Sequence, residues 1–272
     1  MDYSPGILTV ANCMTTQPAP PSGPTPAATL VVFRRAPNGG PPELLMLERS
    51  QAMRFVPGAA VFPGGRVDPS DHELAALVAG GSLAADEAAA RIAAIRETLE
   101  EAGLVTGVRQ AVTGEEAAAA RVKLLEIGRL GPVLEQFGWT PELDRLVPLA
   151  RWCPDFARAF DTRFYLTDLG TGAVELAADT TENTRLFWIT AAAALEAARR
   201  DEMRVIFPTL RNLERIAQHD DFAAAAADAA AYPITPIVPW EEERDGVLHR
   251  VIPEGIGYPV TSGPTVRPGG DK

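Results

Sequence analysis

Arg96-Glu97-Thr98-Leu99-Glu100-Glu101-Ala102-Gly103-Leu104 carries four charged side chains in nine residues. On a helix Glu100 and Glu101 stand three and four positions beyond Glu97, so the three carboxylates share one side. Like charges at that spacing destabilise an isolated helix by roughly 0.2–0.5 kcal/mol per pair. A bound divalent cation offsets such repulsion, and Arg96 offers an internal counter-charge. An all-oxygen donor set suits a hard ion such as Mg²⁺ or Mn²⁺. The plainer alternative is a solvated acidic helix face. Two flanking features favour the metal. Gly103 stands where the helix would end, as a C′ glycine does. Upstream, Phe62-Pro63-Gly64-Gly65 follows an apolar run, and its glycines offer backbone that can approach a phosphate or lend a carbonyl to a metal.

Together these pieces resemble the Nudix box, G-x5-E-x7-R-E-U-x-E-E-x-G-U, where U is a bulky apolar residue. Gly65 takes the first position, and Arg96, Glu97, Glu100, Glu101, Gly103 and Leu104 take the closing ones. Thr98 replaces an apolar residue. Arg96 follows Gly65 by 31 positions against 14 in the usual box, which leaves about 17 inserted residues. Counted back from Arg96, the mid-box glutamate has no residue in register, because Glu87 lies nine positions away rather than eight. The resemblance implies an α/β/α sandwich with a mixed sheet and extra helices, and attack of water on a substituted diphosphate with Mg²⁺ or Mn²⁺ bound. Glu97, Glu100 and Glu101 would hold the metal, Gly65 would add its carbonyl, Gly64 would face substrate, and Arg96 would orient a glutamate.

Ahead of the box runs Arg49-Ser50-x3-Arg54-x3-Gly58-x3-Phe62-Pro63-Gly64-Gly65. Guanidinium groups match phosphate oxygens, although two arginines can equally pair with surface carboxylates. From Arg49 onward the pattern is similar to the upstream motif of Nudix coenzyme A diphosphatases. Its leading L-L-T-x is poorly kept, since Leu47 stands where Thr is usual. Later stretches, Arg151-Trp152-Cys153-Pro154, Phe160-Asp161-Thr162-Arg163-Phe164-Tyr165 and Glu182 to Trp188, resemble the branch with a long insertion inside the box. In that family a glutamate shortly before a Trp-bearing strand often assists the metal, which makes Glu182 a further ligand or base; otherwise it belongs to an exposed acidic turn.

Composition sets outer bounds. A chain of 272 residues with 46% hydrophobic and 22% charged residues fits a soluble globular class with a substantial core. A formal net charge of −11 argues against nucleic acid as partner, because binding its backbone requires Lys and Arg to neutralise phosphates. A small anionic substrate stays allowed, since a metal inverts local electrostatics. Two cysteines make a disulfide framework unexpected and a cytoplasmic setting the default. No signal peptide and no membrane span are expected, and a homodimer is left open. His72, His219 and His249 read as scattered surface residues. There is no paired Cys/His spacing for zinc and no Ser-centred nucleophile elbow.

Along the chain, residues 1–26 read as a Pro-rich flexible arm, 27–262 as the catalytic domain with its insertion at about 68–90, and 263–272 as a flexible tail. Strands are expected at Ala28–Arg35, Glu43–Glu48, Ala59–Phe62 and Phe160–Leu166. Asp68-Pro69-Ser70-Asp71 reads as a turn. Helices are expected at Ala84–Glu101, Glu115–Gln136, Ala191–Arg200, Leu210–Gln218 and Phe222–Ala231, with a strand-and-loop wrap over the last 40 or so residues. The leading expectation is cleavage of coenzyme A or acyl-coenzyme A to (acyl-)phosphopantetheine and adenosine 3′,5′-bisphosphate. A first rival is another diphosphate such as ADP-ribose or a nucleotide sugar, and a second is a non-catalytic sensor. Retention of all three box glutamates argues against the sensor.

Overall fold

The sheet grows from one strand, Thr25–Arg34 (β1), whose β-branched and apolar residues suit a pleated, doubly covered position. Its side chains alternate: Ala28, Leu30 and Val32 enter one core, Val31 and Phe33 the other. The structure, a computed structural model, describes residues 23–51, 57–156, 159–169 and 183–265.

In chain order β1 is followed by Glu43–Arg49 (β2), Ala59–Val61 (β3), Gly64–Arg66 (β4), Pro69–Val78 (α1) and Ala85–Ala102 (α2). Next come Gly114–Ile127 (α3), Leu130–Phe137 (α4), Val147–Trp152 (β5), Phe160–Asp168 (β6), Asn183–Thr190 (β7) and Ala191–Arg199 (α5). Arg204–Val205 (β8), Phe207–Ile216 (α6), Phe222–Ala230 (α7), Pro236–Ile237 (β9), Trp240–Arg244 (β10), Val247–Val251 (β11) and Ser262–Pro264 (β12) close the described part. The main sheet runs β8-β3-β2-β1-β6-β5-β9, with β4 added on β1 and β7 on β2. It is mixed, β1 and β6 being parallel while β1 and β2 are antiparallel. Strands β10, β11 and β12 form a separate antiparallel sheet.

One detail of register positions the site. β6 pairs with β1 from Thr25 to Phe33 and so takes up one edge of it. On the other edge β2 pairs only at Phe33 and Arg34, and β4 pairs at Ala27, Ala28 and Thr29. The Gly64–Gly65 turn therefore sits where β2 has parted from β1.

Helix α2 lies on the face of Ala28, Leu30, Val32 and Leu45, burying Ala88, Ala89, Ala90, Ile92, Ala93, Ile95 and Leu99. Its alanines let the helix axis approach the sheet closely, while Ile92 and Leu99 supply bulk. Truncating either to Ala is worth about 2–5 kcal/mol. Helices α5, α6 and α7 cover the opposite face through Ala194, Leu213, Ile216, Ala225 and Ala229. Helices thus flank a mixed sheet, as the α/β/α expectation had it.

Two local readings are corrected. Asp68-Pro69-Ser70-Asp71 opens α1 rather than forming a turn: Asp68 is the N-cap and Pro69 takes the first turn, where its missing N–H costs nothing. The single helix expected over Glu115–Gln136 is two, because Gly128 adopts φ +64 and closes α3 with its N–H on the Leu124 carbonyl at 2.7 Å. Among the described residues no helix is long and apolar enough to cross a membrane.

Candidate active site

The carboxylates sit near the C-terminal end of α2. Gly103 ends this helix in the left-handed region at φ +70, its N–H on the Leu99 carbonyl, and Leu104 is buried behind it. Arg121 of α3 donates to the carbonyls of Glu100 at 2.9 Å and Glu101 at 3.3 Å. A cation there complements the helix dipole.

Arg96 is buried and holds three pieces of chain together. Its Nε and Nη2 donate to the two oxygens of Asp71, each at 3.0 Å. Nη1 donates to Glu97 at 2.9 Å and to Glu100 at 3.1 Å, and Nη2 also reaches the Arg66 carbonyl at 2.8 Å. Burial works against the guanidinium charge, but the bonds donated to Asp71 and the charges of Glu97, Asp71 and Glu100 outweigh it and hold Arg96 above its usual range. Arg96 was expected to orient a glutamate, and its Nη1 lies on two of them, Glu97 and Glu100.

Asp71 was not foreseen. Counting back from Arg96 misses it, whereas counting forward from Gly65 places five residues and then Asp71, where the box has its glutamate. The insertion thus falls after this position. Asp71 is 1% exposed and also accepts from the Asp68 N–H at 2.9 Å, so one carboxylate caps α1 and orients Arg96. Glu87 lies elsewhere, bonded to Arg91 at 3.0 Å and paired with Arg163 at 3.4 Å.

Glu97 packs against Gly65 so closely that a Cβ there would overlap its carboxylate. Burial pushes Glu97 up to about 7, with Arg96 opposing and Glu100 adding to the rise. Glu100 is raised, again first by burial. Glu101 is raised to about 8 by burial and next by the charge of Glu97, while the Gly64 N–H, Asn183 and Arg49 oppose. Its Oε2 accepts from the Gly64 N–H at 2.8 Å and its Oε1 from Asn183 Nδ2 at 3.4 Å. The Gly64 amide is therefore committed to a glutamate, and Asn183 is a second residue that sequence reading missed.

Arg49 ends β2 at an irregularity in the register and pairs with Asn183 of β7. Among the described residues its Nε and the Asn183 Oδ1 are buried without a hydrogen-bond partner. An unpartnered buried donor and acceptor cost about 1–3 kcal/mol each unless a ligand meets them. Arg54 and Glu182 lie outside the described residues.

Three glutamates on one helix side, each raised first by burial, form an oxygen donor set whose chemistry fits a hard divalent cation. As the side chains stand, Glu97 and Glu100 turn to Arg96 and Glu101 to Gly64, and among the described residues no three His, Cys, Asp or Glu side chains converge at metal-holding spacing.

A mixed sheet between helices, a glycine turn against a glutamate-bearing helix and a buried arginine bracing that helix define a carboxylate-based hydrolase class. The crystal structure of a NUDIX hydrolase from Alicyclobacillus acidocaldarius matches it with a TM-score of 0.63 and 30% identity, over 75% of this chain and 96% of that one. The uncharacterized Nudix hydrolase NudL of Klebsiella aerogenes is 41% identical over 35% of this chain and 72% of its own length. The chain belongs to the Nudix hydrolase family. The acyl-coenzyme A diphosphatase NUDT19 of Gallus gallus is 28% identical over 67% of this chain, which spans 64% of that relative's length. No protein-family model matches the chain.

Proposed function

We propose that the chain is a divalent-metal-dependent Nudix diphosphatase that cleaves coenzyme A or acyl-coenzyme A to (acyl-)phosphopantetheine and adenosine 3′,5′-bisphosphate. The observation that carries this reading is the buried, unpartnered Nε of Arg49 beside the Glu101 carboxylate. A guanidinium so placed can receive a phosphate oxygen. It opens the run Arg49-Ser50-x3-Arg54-x3-Gly58-x3-Phe62-Pro63-Gly64-Gly65, and the similarity to an acyl-coenzyme A diphosphatase supports the same substrate class.

In this reading Glu97, Glu100 and Glu101 hold Mg²⁺ or Mn²⁺, with Gly65 lending its carbonyl and Glu182 joining from before β7. A divalent ion, when bound, supplies neutralisation of the diphosphate charge and acidification of water. The protein's own part is to position. Asp71 fixes Arg96, Arg96 fixes Glu97 and Glu100, and the Gly64 N–H fixes Glu101. Arg49 and Arg54 hold phosphates. One glutamate accepts the proton of the attacking water. The catalytic unit spans about residues 27–262, with β1 beginning two residues earlier at Thr25, in a cytoplasmic setting.

The test is a substrate panel of coenzyme A, dodecanoyl-coenzyme A, ADP-ribose and a nucleotide sugar, with Mg²⁺ and with Mn²⁺, read by product mass. Adenosine 3′,5′-bisphosphate from the coenzymes is the expected product. Cleavage of ADP-ribose alone would assign another diphosphate, and no turnover on the panel would favour a binding role.

A further inference from the structure

On the sheet face opposite α2 lies a cavity of about 770 Å³ that the carboxylate chemistry does not use. Its walls are aromatic: Phe62, Trp152, Phe160, Phe164, Phe207 and Trp240. Phe156, Val238 and Trp240 at its mouth are 59%, 44% and 45% exposed. Exposed large apolar side chains gathered around a cavity of this size mark a binding site rather than chance surface. The Trp152 Nε1 donates to Tyr258 at 3.2 Å, so this residue offers the cavity its ring and not a free donor.

The cavity is joined to the candidate active site through the backbone. Phe62 lies two residues before Gly64, so their Cα atoms are at most about 7 Å apart. Thr29, another wall residue, is the register partner of Gly64. The turn that places a glutamate on one face therefore builds a cavity wall on the other.

Charge selects the occupant. Among the described residues the ionisable lining groups are Asp155, Glu241 and Arg250, and Arg250 is paired with Glu241 at 3.3 Å. The described lining is thus acidic by one charge, which disfavours the phosphate-bearing adenosine end of a coenzyme, and its aromatic walls suit a neutral apolar chain. We propose that this cavity binds the acyl chain of an acyl-coenzyme A whose diphosphate lies at the Gly64–Gly65 turn. The assignment rests on the proposed function for the diphosphate and goes beyond it in giving the chain its own site.

Two measurements test it. The first is kcat/KM for free, butanoyl-, octanoyl- and dodecanoyl-coenzyme A in wild type, Trp240→Glu, Val238→Asp and Trp240→Phe. Wild type should favour the dodecanoyl over the free coenzyme by at least tenfold. Both charged variants should lose that ratio, and Trp240→Phe should keep most of it. The second is calorimetric titration with S-dodecanoyl-N-acetylcysteamine, a neutral thioester without phosphate. Binding by wild type that weakens at least tenfold in Trp240→Glu supports the site. An unchanged acyl ratio in both charged variants, or no thioester binding by wild type, overturns it. If no coenzyme is cleaved yet the thioester binds and Trp240→Glu loses it, the chain site stands and the proposed function falls.

Discussion

On the α2 side of the Gly64–Gly65 turn, Arg96 is buried among Asp71, Glu97 and Glu100, and each of these three carboxylates lies within 3.1 Å of its guanidinium. On the opposite side Phe62, Phe164, Phe207 and Trp240 line a cavity with few polar groups. The first arrangement is costly to assemble, because buried charges lose hydration that their pairing only partly returns. The second asks only that apolar surface be covered, so it grades its occupant by size rather than by one decisive bond. On the two proposals above, the polar side would fix where a diphosphate lies and the apolar side would read what is attached to it.

The sharpest way to break this division is to neutralise one carboxylate. Glu100→Gln and Glu101→Gln keep shape and remove charge, so each should lower kcat by on the order of 10³-fold or more with the fold intact. Steady-state rates within threefold of wild type in both variants would falsify the metal assignment. Arg96 and Asp71 come next. Truncating one partner of a buried ion pair destabilises by about 3–5 kcal/mol. Asp71→Ala should therefore lower the melting temperature measurably and reduce kcat through a mispositioned Arg96. Arg96→Ala should lower kcat more than it raises KM. A pure KM effect would move Arg96 into contact with substrate.

Arg49 sharpens the comparison from the substrate's end. A charge-assisted contact to phosphate contributes roughly 1.5–3 kcal/mol, so its loss should lower kcat/KM by about tenfold to a hundredfold. Coenzyme A and 3′-dephospho-coenzyme A, compared in wild type, Arg49→Ala and Arg54→Ala, show whether either arginine reads the 3′-phosphate. One variant should lose most of the wild-type preference; equal rates in wild type would detach the motif from that phosphate.

The smallest effect concerns pH in metal-free buffer. Glu101 is raised from 4.5 to about 8, so the folded state keeps a proton that the unfolded chain has already released. This contribution to stability is full below about 4.5 and is lost as pH rises towards 8. Glu101→Gln removes the dependence. Its melting temperature should match wild type near pH 4.5 and exceed it by roughly 2–4 °C or more near pH 8.5. A constant difference across that range would remove burial of Glu101 as the cause.

Local sequence spacing made half of the site legible. Glu97, Glu100, Glu101 and the ending Gly103 follow from helical spacing, and Gly65 from its place in the glycine pair that resembles the opening of the box; the structure adds that a Cβ there would have no room. Asp71 was hidden by the direction of counting, since the insertion separates it from Arg96 while leaving its distance to Gly65 unchanged. Arg121 and Asn183 could not be read at all. They reach α2 from α3 and β7, and nothing in their own neighbourhoods marks them. The aromatic cavity was illegible for the same reason, being assembled from β1, β5, β6, α6 and β10. The break at Gly128 shows the opposite failure: favourable helix composition on both sides hid a glycine that ends one helix and lets another begin.

The measurement that bears most directly on the account is Mn²⁺ binding, followed by calorimetry or by the loss of free-ion paramagnetic resonance. Wild type, Glu101→Gln and a Glu97→Gln/Glu100→Gln/Glu101→Gln variant would be compared in the absence of substrate. The account predicts stoichiometric binding by wild type, weakening of at least tenfold in the single variant and none in the triple variant. Equal binding by wild type and the triple variant, or no binding by wild type at any Mn²⁺ concentration that supports turnover, would contradict it.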